Sequence, residues 1–161
     1  MSKEDKIRKI LILIGSLMVI VGGIMILNRG NPLDKEIGYV FLTNGTQKME
    51  VDGYKYSYNS GDKQSEIETF VSIDKAKNIP EIDYFVNDEN CQIKVSYSKK
   101  DAHDISYAVY DENFDCVVDN QSALDLPGEA GKKFYVESSV NWGKGKKTVT
   151  VKYYFAINVK E

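Results

Sequence analysis

The chain has few of the residues that bind metals or perform acid–base catalysis. Its 161 residues include one histidine, two cysteines, one tryptophan and three prolines. A zinc site takes four closely spaced His, Cys or carboxylate ligands, which one histidine and two separated cysteines do not supply. His103 lies between Asp101 and Asp104 in a polar stretch typical of an exposed loop, with no nucleophile pattern beside it. We therefore expect no zinc site and no histidine-dependent enzyme.

Acidic residues are plentiful, but their spacing does not mark a site. Asp111, Asn113 and Asp115 are spaced like the start of an EF-hand loop. In this stretch, however, Cys116 occupies the position of the turn glycine and Ser122 that of the bidentate glutamate. No pair of carboxylates stands out as a hydrolytic pair either. The sequence predicts no metal, no cofactor and no catalytic residues.

Charge argues against nucleic acid as a partner. After residue 27 the chain has 17 Lys and Arg against 22 Asp and Glu. Binding to phosphates requires a clustered basic surface. Lys144, Lys146 and Lys147 do cluster, but they alternate with glycines in what we interpret as a solvated turn.

A long run without charge near the N-terminus predicts a membrane anchor. Residues 10–27 contain no charged side chain, and about 18 to 20 apolar residues are needed to cross the roughly 30 Å hydrocarbon core of a bilayer. Four Lys and Arg lie within residues 1–9, whereas only Arg29 and Lys35 follow closely. Because basic flanks stay in the cytoplasm, we expect a single-pass signal-anchor helix with residues 1–9 inside and the C-terminal part outside the cell membrane.

The uncharged run also contains small residues with two possible roles. Val21-Gly22-Gly23 offers the small residues of a signal-peptide cleavage site, but cleavage there would leave residues 24–27 as a bare apolar tip. We therefore favour the uncleaved anchor. Gly15 and Gly22, like Ser16 and Gly23, are seven residues apart and form a possible helix-pairing face, although small residues are common in membrane helices generally.

Residues 28–36 read as a polar juxtamembrane spacer and residues 37–161 as one β-domain. Apolar residues alternate with mostly polar ones along the last strand: Val149, Val151, Tyr153, Phe155, Ile157 and Val159. Phe134, Val136, Val140 and Trp142 share one parity just upstream, and Gly143-Lys144-Gly145-Lys146 then predicts a hairpin turn.

Shorter strands are predicted upstream. Alternation gives Cys91 to Tyr97 and Ile105 to Val109 as strands with one apolar face. Asn44-Gly45 and Asp52-Gly53 predict tight hairpins. The remaining predicted strands are 37–43, 47–51, 54–58, 66–73 and 82–86. Nine or ten short strands predict an all-β fold, an antiparallel β-sandwich.

The C-terminal third adds a resemblance. Its features are Leu126-Pro127-Gly128, Gly131, Phe134-Tyr135-Val136, Trp142 and Lys144-Gly145, followed by the alternating strand. In these the chain resembles the immunoglobulin-like domains of membrane-anchored or secreted proteins of Gram-positive bacteria. The resemblance implies an immunoglobulin-like sandwich and implies no active site.

The two cysteines leave two alternatives open. Outside the membrane, Cys91 and Cys116 could form a disulfide, which would stabilise the fold by roughly 3 kcal/mol if their strands face each other. Alternatively, Cys91 on an apolar face acts as a small buried hydrophobic residue.

The tyrosines also allow two interpretations. Tyr54, Tyr56 and Tyr58 share a parity, and a row of exposed rings, with Trp142, would suit stacking on sugars or a protein hot spot. The alternative is that these rings belong to the core. The leading hypothesis is a membrane-anchored module that binds another envelope protein as an accessory or assembly component. The second hypothesis is a module that binds carbohydrate or cell wall through these rings.

Overall fold

The computed structural model describes residues 32–61, 63–68 and 72–161. Within these ranges no helix is long and apolar enough to cross a membrane. The predicted anchor, residues 10–27, with Gly15, Ser16, Gly22 and Gly23, lies outside the described residues. Residues Lys35–Glu161 form one compact unit.

More than half of the described residues lie in strands. The strands are β1 (Val40–Thr43), β2 (Lys48–Val51), β3 (Gly53–Ser60), β4 (Lys63–Glu68), β5 (Glu81–Phe85), β6 (Lys94–Tyr97), β7 (His103–Tyr110), β8 (Cys116–Gln121), β9 (Lys133–Lys144) and β10 (Lys147–Lys160). Two short 3-10 segments, Pro32–Glu36 and Ile73–Lys75, complete the elements. The all-β class is confirmed.

The strands form two sheets. The smaller sheet has the order β2-β1-β6, and the larger has the order β4-β3-β10-β9-β7-β8. β5 also joins the larger sheet, pairing in parallel with the second half of β10. The other described pairs are antiparallel, which confirms the predicted antiparallel sheets.

The β9–β10 hairpin is the centre of the larger sheet and was predicted correctly. Lys144 pairs with Lys147, so Gly145 and Lys146 form a two-residue turn, and Gly145 has a φ of +62°. A glycine in the first central position is what a type II′ turn requires. The alternating apolar side chains of β10, from Val149 to Val159, are all buried. This strand was predicted from its period of two, and the burial confirms that one face is the core face.

The inner faces of the two sheets meet around Trp142. Its indole Nε1 donates a hydrogen bond of 2.9 Å to the Tyr153 hydroxyl, which donates in turn to the Gly38 carbonyl at 3.3 Å. From the smaller sheet, the Tyr97 ring meets the indole edge to face, with centroids 6.1 Å apart. The Tyr97 hydroxyl lies 2.7 Å from that of Tyr107 on the larger sheet. Burial is the largest cause that raises the pKa of Tyr97, and the hydrogen bond with Tyr107 is the second. Both phenols therefore stay neutral and hydrogen-bonded.

Three local predictions were wrong, and the strand predicted over 91–97 begins only at Lys94, so Cys91 lies before it. Asp52-Gly53 does not form a hairpin: Val51 pairs with Val40 in the smaller sheet, whereas Gly53 pairs with Tyr153 in the larger, so the chain changes sheets there. The predicted strand 66–73 is β4, Lys63–Glu68, and Ile73 lies in a 3-10 turn. β8, Cys116–Gln121, was missed because most of its side chains are polar and exposed.

Candidate functional site

The predicted ring surface is not exposed. Trp142 has no exposed surface, and Tyr58 is 6% exposed. Trp142 shares its parity with Phe134 and Val136, and all three side chains face the core. A buried ring offers no face to a sugar, so the assignment of Trp142 and Tyr58 to a binding face was wrong.

Tyr54 lies on the opposite side of the sheet from Tyr58. Tyr58 pairs with Val149 of the core face, whereas the Tyr54 ring stacks on that of Tyr154 at 5.1 Å and 20°. The register shift between Lys152 and Tyr153 explains this, because one extra residue reverses the side to which later side chains point. Tyr54 is also only 6% exposed. The side chain of Tyr56 lies outside the described part of the chain.

Both cysteines are free thiols. Cys91 is buried and its sulfur accepts a hydrogen bond of 3.3 Å from the Phe85 amide. Cys116 is exposed on the edge strand β8, where its sulfur lies 3.4 Å from the Val118 carbonyl oxygen. The disulfide considered from the sequence is therefore not formed in this structure, and Cys91 behaves as a small buried hydrophobic residue.

The polar residues examined for chemistry have structural partners. His103 begins β7 rather than lying in a loop, and its Nδ1 is 2.8 Å from the Asp101 carbonyl oxygen. Asp111 Oδ1 accepts hydrogen bonds from the amides of Asn113 and Asp115, at 2.8 and 2.9 Å. The Asp111 carboxylate thus organises the β7–β8 turn. Within the described ranges, no group of three or more His, Cys, Asp and Glu side chains is arranged to hold a metal.

The outer face of the larger sheet, on the side away from the smaller sheet, is divided in two. At one end Tyr54 and Tyr154 form an aromatic cluster with Ile73. Partly buried side chains pack against them: Ala76, Ile79, Tyr110, Phe114 and Tyr135. Within this set the Phe114 and Tyr135 rings stack at 4.5 Å. This cluster explains why Tyr154, on the nominally polar side of β10, is 2% exposed.

The other end of the outer face carries an open depression, which we call the polar trough. Its volume is about 320 Å³. It is lined by Ser106, Tyr107, Ala108, Asp119, Asn120, Glu137, Ser139 and Lys152. These residues come from the adjacent strands β10, β9, β7 and β8, so the backbone hydrogen bonds of the sheet fix its floor. Small side chains such as Ser106, Ala108 and Ser139 create the depression because they leave the space above the floor unfilled.

One ion pair lies inside the polar trough. Lys152 Nζ is 2.6 Å from Glu137 Oε1, and the two side chains are 32% and 17% exposed. Both are therefore partly shielded from water. The Asp119 carboxylate lies on the same lining, on strand β8. Burial, and second to it the negative charge of Glu137, raises the pKa of the Tyr110 phenol nearby.

Hydrogen-bonded polar residues continue the trough toward the hairpin end. Thr150 Oγ1 donates to Asn141 Oδ1 at 2.6 Å, and Asn141 Nδ2 donates to Asp104 Oδ2 at 3.2 Å. Sequence reasoning placed Thr150 and Lys152 on the polar side of their strand but did not select them. The sequence feature that could have indicated this site is the polar face of β10, which stands opposite a fully apolar face of the same strand.

Comparison with known proteins gave no relative. No protein-family model matches the chain. No significant match was found among curated proteins or among solved structures.

Proposed function

We propose that this protein is a membrane-anchored binding module that acts through protein–protein interaction, as an accessory or assembly component of a cell-envelope complex. In this proposal residues 1–9 are cytoplasmic, residues 10–27 form an uncleaved transmembrane anchor, and residues 37–161 are an immunoglobulin-like β-sandwich outside the membrane. The observation that carries it is the polar trough, a concave surface built on the adjacent strands β10, β9 and β7 and the edge strand β8 of the larger sheet.

Strand order supports the immunoglobulin-like assignment. The sequence β10-β9-β7-β8 across the larger sheet matches the order G-F-C-C′ of variable immunoglobulin domains. The departures are that the smaller sheet has only the strands β2, β1 and β6 among the described residues, and that β3, β4 and β5 join the larger sheet beside β10. The core Trp142 also lies on the G-adjacent strand β9 rather than on the strand that matches C.

The spacer favours a partner at the membrane. Residues 28–36 number nine, and a flexible chain of nine residues spans roughly 15 Å on average. The 3-10 segment Pro32–Glu36 shortens that reach further. A domain held so close to the bilayer contacts neighbouring membrane proteins more readily than ligands deep in a cell wall.

Blocking the trough tests this function. We would crosslink the full-length protein in its native membranes and identify the products by mass spectrometry, comparing the wild type with Ser139→Arg. The arginine side chain fills the trough, so a crosslinked protein partner should fall at least tenfold in yield. Ser60→Arg, at the exposed end of β3, is the matched control with the same charge change. A partner that survives Ser139→Arg unchanged, or the absence of any protein partner, would overturn the proposal.

A further inference from the structure

We infer that the group bound in the polar trough is a guanidinium, the arginine side chain of the partner protein. This inference rests on the proposed function, because it specifies the chemistry recognised at the same site. Three properties of the trough carry it: its charge, its hydrogen-bonding groups and its aromatic neighbour.

The charge of the lining favours a cation. Lys152 and Glu137 are in contact at 2.6 Å and neutralise each other. Asp119 is the remaining charged group of the lining, which gives the trough a net charge of −1. An arriving cation is thus attracted by Asp119 without displacing Lys152.

The hydrogen-bonding groups favour a donor-rich cation. The carboxylates of Asp119 and Glu137, the hydroxyls of Ser106 and Ser139 and the amide oxygen of Asn120 are all acceptors on one lining. A guanidinium has five N–H donors in a rigid plane and no acceptor, and it pairs with carboxylates in a forked geometry. A lysine ammonium has three donors on a compact, strongly hydrated group, so it uses fewer of these acceptors.

An aromatic ring borders the same site. Tyr110 follows Ala108 by two residues on β7, so both side chains are on the outer face of the sheet. Tyr110 is half-buried against the aromatic cluster. Guanidinium groups stack on the faces of such rings, so Tyr110 adds a favourable contact for an arginine side chain.

The test uses arginine itself as the probe. Full-length protein labelled with ¹³C at alanine methyl groups would be placed in nanodiscs of zwitterionic phosphatidylcholine and titrated with N-acetyl-arginine amide. We expect a saturable shift of the Ala108 methyl signal, because Ala108 lines the trough, and no shift of exposed Ala123 or Ala130. N-acetyl-citrulline amide has the same shape without charge and should bind at least tenfold more weakly. Asp119→Asn should weaken arginine binding at least fivefold, whereas Asp125→Asn, in the exposed β8–β9 loop, should not change it.

The outcomes separate this inference from the proposed function. Equal binding of citrulline, equal binding of N-acetyl-lysine amide, or no effect of Asp119→Asn would overturn the arginine assignment. A membrane crosslink that is lost in Ser139→Arg but unaffected by Asp119→Asn would leave the proposed function standing and remove the inference. A crosslink lost in both variants, together with the Ala108 shift, would support both.

Discussion

Gly38 lies against the indole of Trp142, and the space between them is too small for any side chain. A Cβ atom at position 38 would lie 2.5 Å from Trp142 Cζ3, 2.6 Å from Cη2 and 2.9 Å from Ser98 Oγ. Ordinary contacts of this kind are about 3.5 to 4 Å, so Gly38→Ala requires a displacement of roughly 1 Å. We predict that this single methyl group strongly destabilises the domain.

The magnitude follows from how tightly Trp142 is held. The indole has no exposed surface, is hydrogen-bonded to Tyr153 and meets the Tyr97 ring on another side. Overpacking of such a core costs about 1 to 3 kcal/mol, and we place Gly38→Ala at about 3 because the indole has no open side. Alanine also restricts the unfolded chain more than glycine does, and this stabilises the folded state by about 0.4 to 1 kcal/mol. The expected net loss is about 2 kcal/mol, or roughly 8 °C in Tm for a domain of this size.

The assay is urea unfolding of the full-length protein in mild detergent, followed by the fluorescence of its single tryptophan. Gly128→Ala is the matched control, because a Cβ there has no atom within 4 Å and its φ is not in the left-handed region. We expect the control to change stability by no more than about 1 kcal/mol, in the stabilising direction. A Gly38→Ala protein within about 0.5 kcal/mol of the wild type would refute the packing described around Trp142.

Three further predictions follow from the described contacts. In the native protein a maleimide should modify exposed Cys116 and leave buried Cys91 unmodified until urea is added; a disulfide in a non-reducing peptide map would contradict this. Asp111→Ala should cost about 1 to 2 kcal/mol in urea unfolding, because two turn amides lose their charged acceptor; an unchanged midpoint would mean that the carboxylate does not organise this turn. Contact with Lys133 lowers the pKa of Glu81, so the pair should stabilise at neutral pH and lose this contribution progressively as pH falls below about 4.5. Because Glu81 is about half exposed, Glu81→Gln should cost under about 1 kcal/mol at pH 7 and progressively less below pH 4.5.

Local pattern was enough to predict the elements in which one face is buried and the turn chemistry is simple. The β9–β10 hairpin combines strict alternation with a glycine turn, and both were confirmed. Asn44-Gly45 likewise joins β1 to β2. In these cases the local preference and the tertiary packing agree.

Prediction failed where a distant strand decides the outcome. Asp52-Gly53 has the composition of a tight turn, but the positions of Val40 and Tyr153 place its two flanking strands in different sheets. Tyr54 was predicted on the same side as Tyr58 because strict alternation assumes an unbroken strand register. The register shift between Lys152 and Tyr153 breaks this alternation, and no residue pattern near Tyr54 predicts it.

The candidate site was not predicted from the sequence at all. The polar trough depends on which small and charged side chains of four strands become neighbours, and only the order β10-β9-β7-β8 brings them together. Asp119 and Glu137, for example, are 18 residues apart and carry no motif. Conversely, Trp142, Tyr54 and Tyr58 were predicted as possible binding residues, although all three side chains are buried.

The central position of β10 sets the order of events during synthesis. β10 follows all its partner strands in the chain. Gly53 of β3, for example, pairs with Tyr153, which is synthesised about a hundred residues later. At about 5 to 20 residues per second, β3 can pair with β4 but lacks its other neighbour, β10, for roughly 5 to 20 seconds. The larger sheet is therefore completed only after β10 has been synthesised.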